Sequence, residues 1–276
     1  MSTSLAIEHQ GPIGLITMNR PERHNAFDDV LIGELTDALR SMEAEDSVRL
    51  VVLSGAGKSF SAGADLNWMK RMAGFSKEEN VRDAMGLGAL MRTLAHLRKP
   101  TIARVHGAAY GGGVGLVACC DIAVASQAAT FALSETKLGL IPAVISPYVV
   151  AAIGERAARR YFLTAERFDA AEAWRLGLVH DIATSDGDMD EQLGTLCDLL
   201  LEAGPTAQRE AKDLIRAVAG KPVTSELIQD TAERIARLRA SPEGREGVTA
   251  FLEKRNPSWV PPEPEAIIAN EPPPGI

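Results

Sequence analysis

The chain has 276 residues, 46% hydrophobic and 24% charged, with a formal net charge of −8 at pH 7. This fits one large soluble domain, or a core domain with an appendage. The acidic balance argues against a nucleic-acid partner, and no apolar run reaches the ~18 residues of a transmembrane helix, so neither nucleic acid nor a membrane is expected.

In chain order, "LAIEHQGPIGLITMN" reads as two strands around Gly11-Pro12, and "RPERHNAF" as a polar loop. "DDVLIGELTDALRSMEAE" predicts a helix, with Val30, Leu31, Leu35, Leu39 and Met42 at helical spacing. "VRLVVLSGAG" is a short buried strand ending in glycines, and "KSFSAGADLNWMKRM" a loop entering a short helix. A helix over "KEENVRDAMGLGALMRTLAHLRK" stops at Pro100, and "TIARVHGAAY" predicts a second buried strand. "DIAVAS" and "TFALSE" predict two more short strands. From about Ser146 every remaining segment reads as helical, up to the Pro-rich, acidic end "PSWVPPEPEAIIANEPPPGI", which predicts a flexible tail. Three cysteines, two of them adjacent in an apolar run, predict buried reduced thiols rather than disulfides or a metal site. "MSTSLAIEHQ" lacks the basic and apolar regions of a secretory signal, so the expected location is cytoplasmic.

Two glycine-rich loops follow strands and precede helices. In "AAYGGGVGLVACCDIA", a dinucleotide fingerprint fails because Leu116 stands where its last glycine belongs, and a P-loop fails for want of Gly-Lys-Ser/Thr. What remains is a helix start whose free N–H groups could hold an oxyanion, or glycines that merely permit close helix–strand packing. The loop "SFSAGADLNW" has the same layout around Gly63. Two N–H groups from two such loops are what an oxyanion hole needs. Asp65 fits either a ligand contact or a helix cap. The five histidines show no metal-ligand spacing, so no metal is expected.

"RPERHNAF", "FSAGADLNWM", "VHGAAYGGGVGLVACCDIAVA" and "FALSETKLGLIP", in this order, resemble the crotonase superfamily of enoyl-CoA hydratases and isomerases, and the likeness runs over roughly residues 5–259. The resemblance implies an α/β fold: a crotonase-type spiral of ββα turns over residues 1–200, then a C-terminal helical trimerisation region over 201–260 before the tail at 261–276. It implies an acyl-CoA substrate, with coenzyme A entering as part of that substrate and no separate cofactor, and a homotrimer or hexamer. The oxyanion donors would be the N–H groups of Ala64 and Gly112. Arg23, His24, Ala26, Ala62, Asp65 and Leu66 would line the CoA channel, and Lys254 would either reach a CoA phosphate or be a solvated side chain.

Hydratases of the family use two glutamates. Glu135 matches one; the place of the other is Gly115. "SETKLGLIPAVISPYVV" is similar to methylglutaconyl-CoA hydratases of leucine and acyclic-terpene breakdown, whose substrates carry an extra carboxylate. An uncharged position 115, counted among the substrate-contacting residues, would spare that group a repulsion. Ser146 and Tyr148 would meet the substrate's far end or cap a helix. One carboxylate also suits an enoyl-CoA isomerase, and a non-catalytic CoA- or RNA-binding relative is a third reading.

Overall fold

The computed structural model describes residues 4–260 and divides into two compact units that meet at Leu200/Leu201. The tail expected at 261–276 lies outside the described residues.

In the first unit, β1 (Leu5–Gln10) and β2 (Ile13–Met18) form the expected hairpin, turning at Gly11 with φ 57°. Next, α1 (Asp29–Ala44) starts where the Asp28 carboxylate accepts the Leu31 N–H. Leu31, Leu35, Leu39 and Met42 are buried as their spacing predicts, whereas Val30 is exposed because it falls off that stripe. Then come β3 (Leu50–Gly55), α2 (Leu66–Met72) and α3 (Lys77–Ala95), the last opened by a reciprocal Ser76/Glu79 cap.

"TIARVHGAAY" is not one strand. It breaks into β4 (Thr101–Val105) and β5 (Ala108–Tyr110). The break sits at Gly107, whose φ is +58° and where a Cβ would overlap the Lys58 carbonyl oxygen and stand 3.2 Å from Ser59 Cα. β4 joins one sheet and β5 another. Gly107→Ala therefore combines a left-handed residue with a backbone overlap. The expected loss is about 3 kcal/mol or more, read as a large drop in Tm or as insolubility; a variant melting with the wild type would refute it.

After α4 (Gly112–Cys119), β6 (Ile122–Ser126) and β7 (Thr130–Ala132) repeat the split, and α5 (Ser146–Thr164) follows, kinked at Gly154. The region read as wholly helical also contains β8 (Arg167–Asp169) and β9 (Asp181–Ala183), on either side of α6 (Ala170–Leu176). Three residues are too few to show a period of two. α7 (Asp186–Glu202) brings the chain to the unit boundary.

The larger sheet has the order β1-β2-β3-β4-β6-β9, parallel from β2 onward; the smaller has β5-β7-β8. Isolated parallel bridges Phe27–Ala64 and Ser61–Ala109 continue the smaller layer backward along the chain. Each turn thus supplies a strand to the first sheet, a short strand or bridge to the second, and then a helix. The core between these layers includes Phe27, Phe60, Phe131, Leu35 and Leu53, all fully buried or nearly so. Cys119, Cys120 and Cys197 are free and buried, and burial pushes the Cys119 thiol up, away from the reactive thiolate.

The second unit consists of α8 (Pro205–Val218), α9 (Ser225–Ala240) and α10 (Pro242–Glu253). The Glu243 carboxylate accepts the N–H groups of Thr206 (2.9 Å) and Ala207 (2.8 Å), tying the start of α10 to that of α8. Neither α8 nor α9 buries a residue, and Ile215, Ile228, Ile235 and Phe251 are exposed.

Candidate active site

Parallel pairing decides where the N–H of Ala64 points. The Phe27 N–H donates to the Gly63 carbonyl and the Asp65 N–H to the Phe27 carbonyl, each at 2.7 Å. A parallel bridge of this kind uses the groups on either side of Ala64, so its own N–H faces the other way. Ala64 itself is exposed.

The second loop is built similarly. The Gly111 N–H donates to the Ala132 carbonyl at 2.9 Å, and α4 begins at the next residue, Gly112. As the first helical residue, Gly112 has no intrahelical acceptor for its N–H, which carries the positive end of the helix dipole. Gly111 has φ 50° and ψ −117°. A Cβ there would lie 3.1 Å from Glu135 Oε1 and 3.9 Å from Gly63 Cα. That single point places the two loops and the Glu135 carboxylate together. Close approach and an available N–H, which the sequence left as alternatives, are both present at these glycines.

Glu135 opens a short 3-10 turn, Glu135–Leu138, after β7. Its Oε2 is buried and has no hydrogen-bond partner among the described residues. Burial raises its pKa above the ordinary glutamate range, a shift that a hydrogen bond from its own backbone N–H only partly offsets.

The loop carrying Ala64 is braced from "RPERHNAF", which is more than a polar surface loop. Asn25 is fully buried, with φ 53°. Its Nδ2 donates to the carbonyls of Ala56 (2.9 Å) and Ser59 (2.7 Å), and its Oδ1 accepts the Arg20 N–H (2.9 Å). Ser61 Oγ donates to the Asn25 carbonyl, and the Ala62 N–H to that of His24. Arg20 is nearly buried and pairs with Asp28 at 2.7 Å. Burial alone would raise the Asp28 carboxyl, but hydrogen bonds from Arg20 and from the Leu31 N–H hold it below the usual range. Nothing in the sequence marks Arg20 and Asn25, because a polar residue in a loop reads as solvated until its tertiary acceptors are known.

The remaining expected site residues separate. Asp65 is a helix cap: its Oδ1 accepts the N–H groups of Asn67 (2.8 Å) and Trp68 (3.1 Å), and its Oδ2 pairs with Arg23 at 3.3 Å. Arg23 and His24 are exposed beside it, His24 Nδ1 lying 3.1 Å from Ser59 Oγ. Ala62 is half-buried, Ala26 buried, and Leu66 73% exposed although apolar. Lys254 is an exposed, left-handed cap of α10 in the second unit.

Gly115 corrects an expectation. It is buried, not open to a substrate. A Cβ there would overlap Cγ2 of Ile145, with Ile145 Cβ at 2.9 Å and Met91 Cε at 3.1 Å. The volume is filled by apolar side chains from α3 and the start of α5, rather than left vacant. Ser146 does not cap α5 with its hydroxyl, which donates to the Ala143 carbonyl at 2.8 Å.

A separate cleft runs beside Tyr161. Its Arg159, Arg160 and Arg175 are paired with Glu155, Glu166 and Glu172, so they are not waiting charges.

A layered β/α spiral thus brings two glycine loops and one buried carboxylate together at Gly111. The chain matches the profile of the Enoyl-CoA hydratase/isomerase family over residues 8–262. It is 37% identical to a putative enoyl-CoA hydratase of Thermus thermophilus, over 91% of this chain and 98% of that one. An enoyl-CoA hydratase structure from Shewanella pealeana superposes with a TM-score of 0.90 at 46% identity, covering 93% of this chain and 96% of that one. A putative enoyl-CoA hydratase/isomerase (crotonase) from Legionella pneumophila gives 0.88 at 49% identity, covering 93% and 99%. The chain belongs to the enoyl-CoA hydratase/isomerase family, has the crotonase fold, and is an enoyl-CoA hydratase-type enzyme. Among its described residues no helix is long and apolar enough to cross a membrane.

Proposed function

We propose that the protein hydrates a branched enoyl thioester of coenzyme A that carries a second carboxylate, 3-methylglutaconyl-CoA or a related glutaconyl-CoA, in leucine or acyclic-terpene breakdown. The observation that carries the chemistry is Glu135, whose carboxylate lies against Gly111 with Oε2 buried and without a hydrogen-bond partner among the described residues. The thioester oxygen accepts the N–H groups of Ala64 and Gly112. As water adds to Cβ, its proton passes to Glu135 and the double-bond electrons move onto that oxygen. Glu135 then returns the proton to Cα, leaving a 3-hydroxyacyl thioester and a carboxylate ready for the next turn.

Coenzyme A enters as part of the substrate, with no separate cofactor. Arg23, His24 and Leu66, exposed near Ala64, would meet it, with Ala26, Ala62 and Asp65 lining the same channel. The substrate preference rests on the apolar filling at Gly115, which puts no negative charge near a distal carboxylate. The unpartnered apolar residues of the second unit fit a trimer or hexamer.

The single carboxylate also favours one second reading, a double-bond isomerase in which Glu135 moves a proton between carbons. Product analysis with 3-methylglutaconyl-CoA, crotonyl-CoA and a 3-enoyl-CoA separates the two. The expected result is a 3-hydroxy product and the highest kcat/KM with the first substrate. Double-bond migration without water addition would establish the isomerase instead.

The pH profile follows from one ionising group. Glu135 must start as the carboxylate, so kcat/KM rises with pH through a single step. Burial places the midpoint above the ordinary glutamate range. Initial rates across pH 4–9 (about that range) would contradict this if the midpoint fell at or below that range.

A further inference from the structure

We infer that Phe27 is a positioning residue for the reaction: it holds the Ala64 and Gly112 N–H groups at the spacing and angle that a single oxygen needs. The inference rests on the reading of those two groups as the oxyanion donors.

Phe27 touches both donor segments, each in a different way. Its backbone makes the parallel bridge to Ala64: its N–H donates to the Gly63 carbonyl and its carbonyl accepts the Asp65 N–H, both at 2.7 Å. Its ring lies against Gly112, where a Cβ would stand 3.1 Å from both Cδ2 and Cε2 and 3.8 Å from Cζ. One residue thus meets the Ala64 donor through hydrogen bonds and the Gly112 donor through ring contact. The two loops also meet at Ser61, which bridges to Ala109 and whose carbonyl oxygen would lie 2.8 Å from a Cβ on Gly113. Ser61 brings the loops together; Phe27 reaches the donor residues themselves.

The spacer is firm. The Phe27 side chain is buried, and its flat ring has only two torsions. Its backbone is held from the following residue as well. Asp28 caps α1 by accepting the Leu31 N–H and pairs with Arg20 at 2.7 Å. Asp65, next after Ala64, caps α2 and lies 4.0 Å from the same guanidinium nitrogen. The bridged pair Phe27 and Ala64 is therefore followed on both segments by a helix cap, and one nearly buried arginine faces both caps. Sliding Ala64 along Phe27 would break both hydrogen bonds of the bridge and draw a cap away from Arg20. Gly112 has no side chain of its own to pack, so its seat depends on what presses on its face, and that is the Phe27 ring. A smaller or more pliable side chain at 27 would let Gly112 drift relative to Ala64.

The test compares Phe27→Leu and Phe27→Met with Leu39→Ala, a variant in the buried stripe of α1. It reads Tm, kcat and KM with crotonyl-CoA, and the infrared carbonyl stretch of bound, isotope-labelled butyryl-CoA, a saturated thioester that cannot be hydrated. Hydrogen bonds to the carbonyl lower that stretch, so its shift on binding reports the donors directly. Phe27→Leu is expected to lower kcat roughly 10- to 100-fold, the upper figure being the cost of about 1 Å of misplacement. The carbonyl shift should shrink with it, while KM and the pH midpoint of kcat/KM stay near wild type. Phe27→Met, closer in volume but without the flat ring, moves the same way and keeps the test available if the leucine variant does not fold. Leu39→Ala should lose at least as much Tm yet keep kcat and the shift. Wild-type kcat and shift in a folded Phe27 variant overturn the inference, as does an equal loss of both in Leu39→Ala, which would make stability the cause. A wild-type complex with no carbonyl shift overturns the donor reading itself.

Discussion

Glu135→Gln is expected to lower kcat by about 10²–10⁴-fold, the usual worth of a positioned acid/base, with little change in affinity for the thioester. The side chains match in size, so Gln still fills the place beside Gly111. What is lost is the ability to take a proton from water and return it to Cα. A variant within tenfold of wild-type kcat would remove Glu135 from the mechanism.

The same substitution has a second signature in stability. Folding raises the pKa of Glu135, so the folded state binds its proton more tightly than the unfolded state does. Below the unfolded value the carboxyl is protonated in both states and burial carries no charge penalty. Above the folded value the folded state holds a buried carboxylate, which destabilises it relative to a neutral group. Glu135→Gln should therefore melt higher than wild type at neutral pH, with the gap closing as pH falls through the carboxylate range. A gap that widened on acidification would contradict the burial argument. An active-site residue whose loss reduces turnover while improving the fold is hard to explain as structural.

Removing one oxyanion donor is the second large expected effect. Lactic acid in place of Ala64 converts its amide to an ester and deletes a single N–H. The expected loss is about 10²–10³ in kcat, or ~3 kcal/mol of transition-state stabilisation. The bridge to Phe27 keeps the Asp65 N–H, but the Gly63 carbonyl becomes the ester's own and accepts the Phe27 N–H more weakly. A modest fall in Tm, the worth of one weakened hydrogen bond at about 1 kcal/mol, should therefore accompany the loss of kcat. A fall in Tm with kcat preserved would make Ala64 N–H a structural group and leave Gly112 as the sole donor.

Much of the site was legible in the chain itself. The sequence singled out Glu135 through an ordered motif, and offered for Asp65 a ligand contact or a cap, and for the Gly111 loop an exposed helix start or close packing; the structure shows the cap and the close approach. The strand break at Gly107 had a signal, since a lone glycine within an apparent strand marks a bulge or a close approach. The direction was not readable, because Lys58, which forces it, is far away in sequence. Arg20 and Asn25 gave no signal, as their partners belong to other loops.

Gly115 shows the limit most clearly. Taken alone, a glycine where an acid is expected looks like an empty place. Tertiary packing fills it with Ile145, thirty residues onward in the sequence numbering, so that apolar contact stands where a charge was expected. By itself the sequence pointed to the family and the layered α/β class through its ordered motifs, and singled out Glu135 and the two loops, because motif, glycine and capping signals act over a few neighbouring residues. Only the tertiary structure decided which strand halves join which sheet, which way the Ala64 N–H faces and what stands beside Glu135, because those depend on volumes and hydrogen bonds supplied by residues distant in the chain.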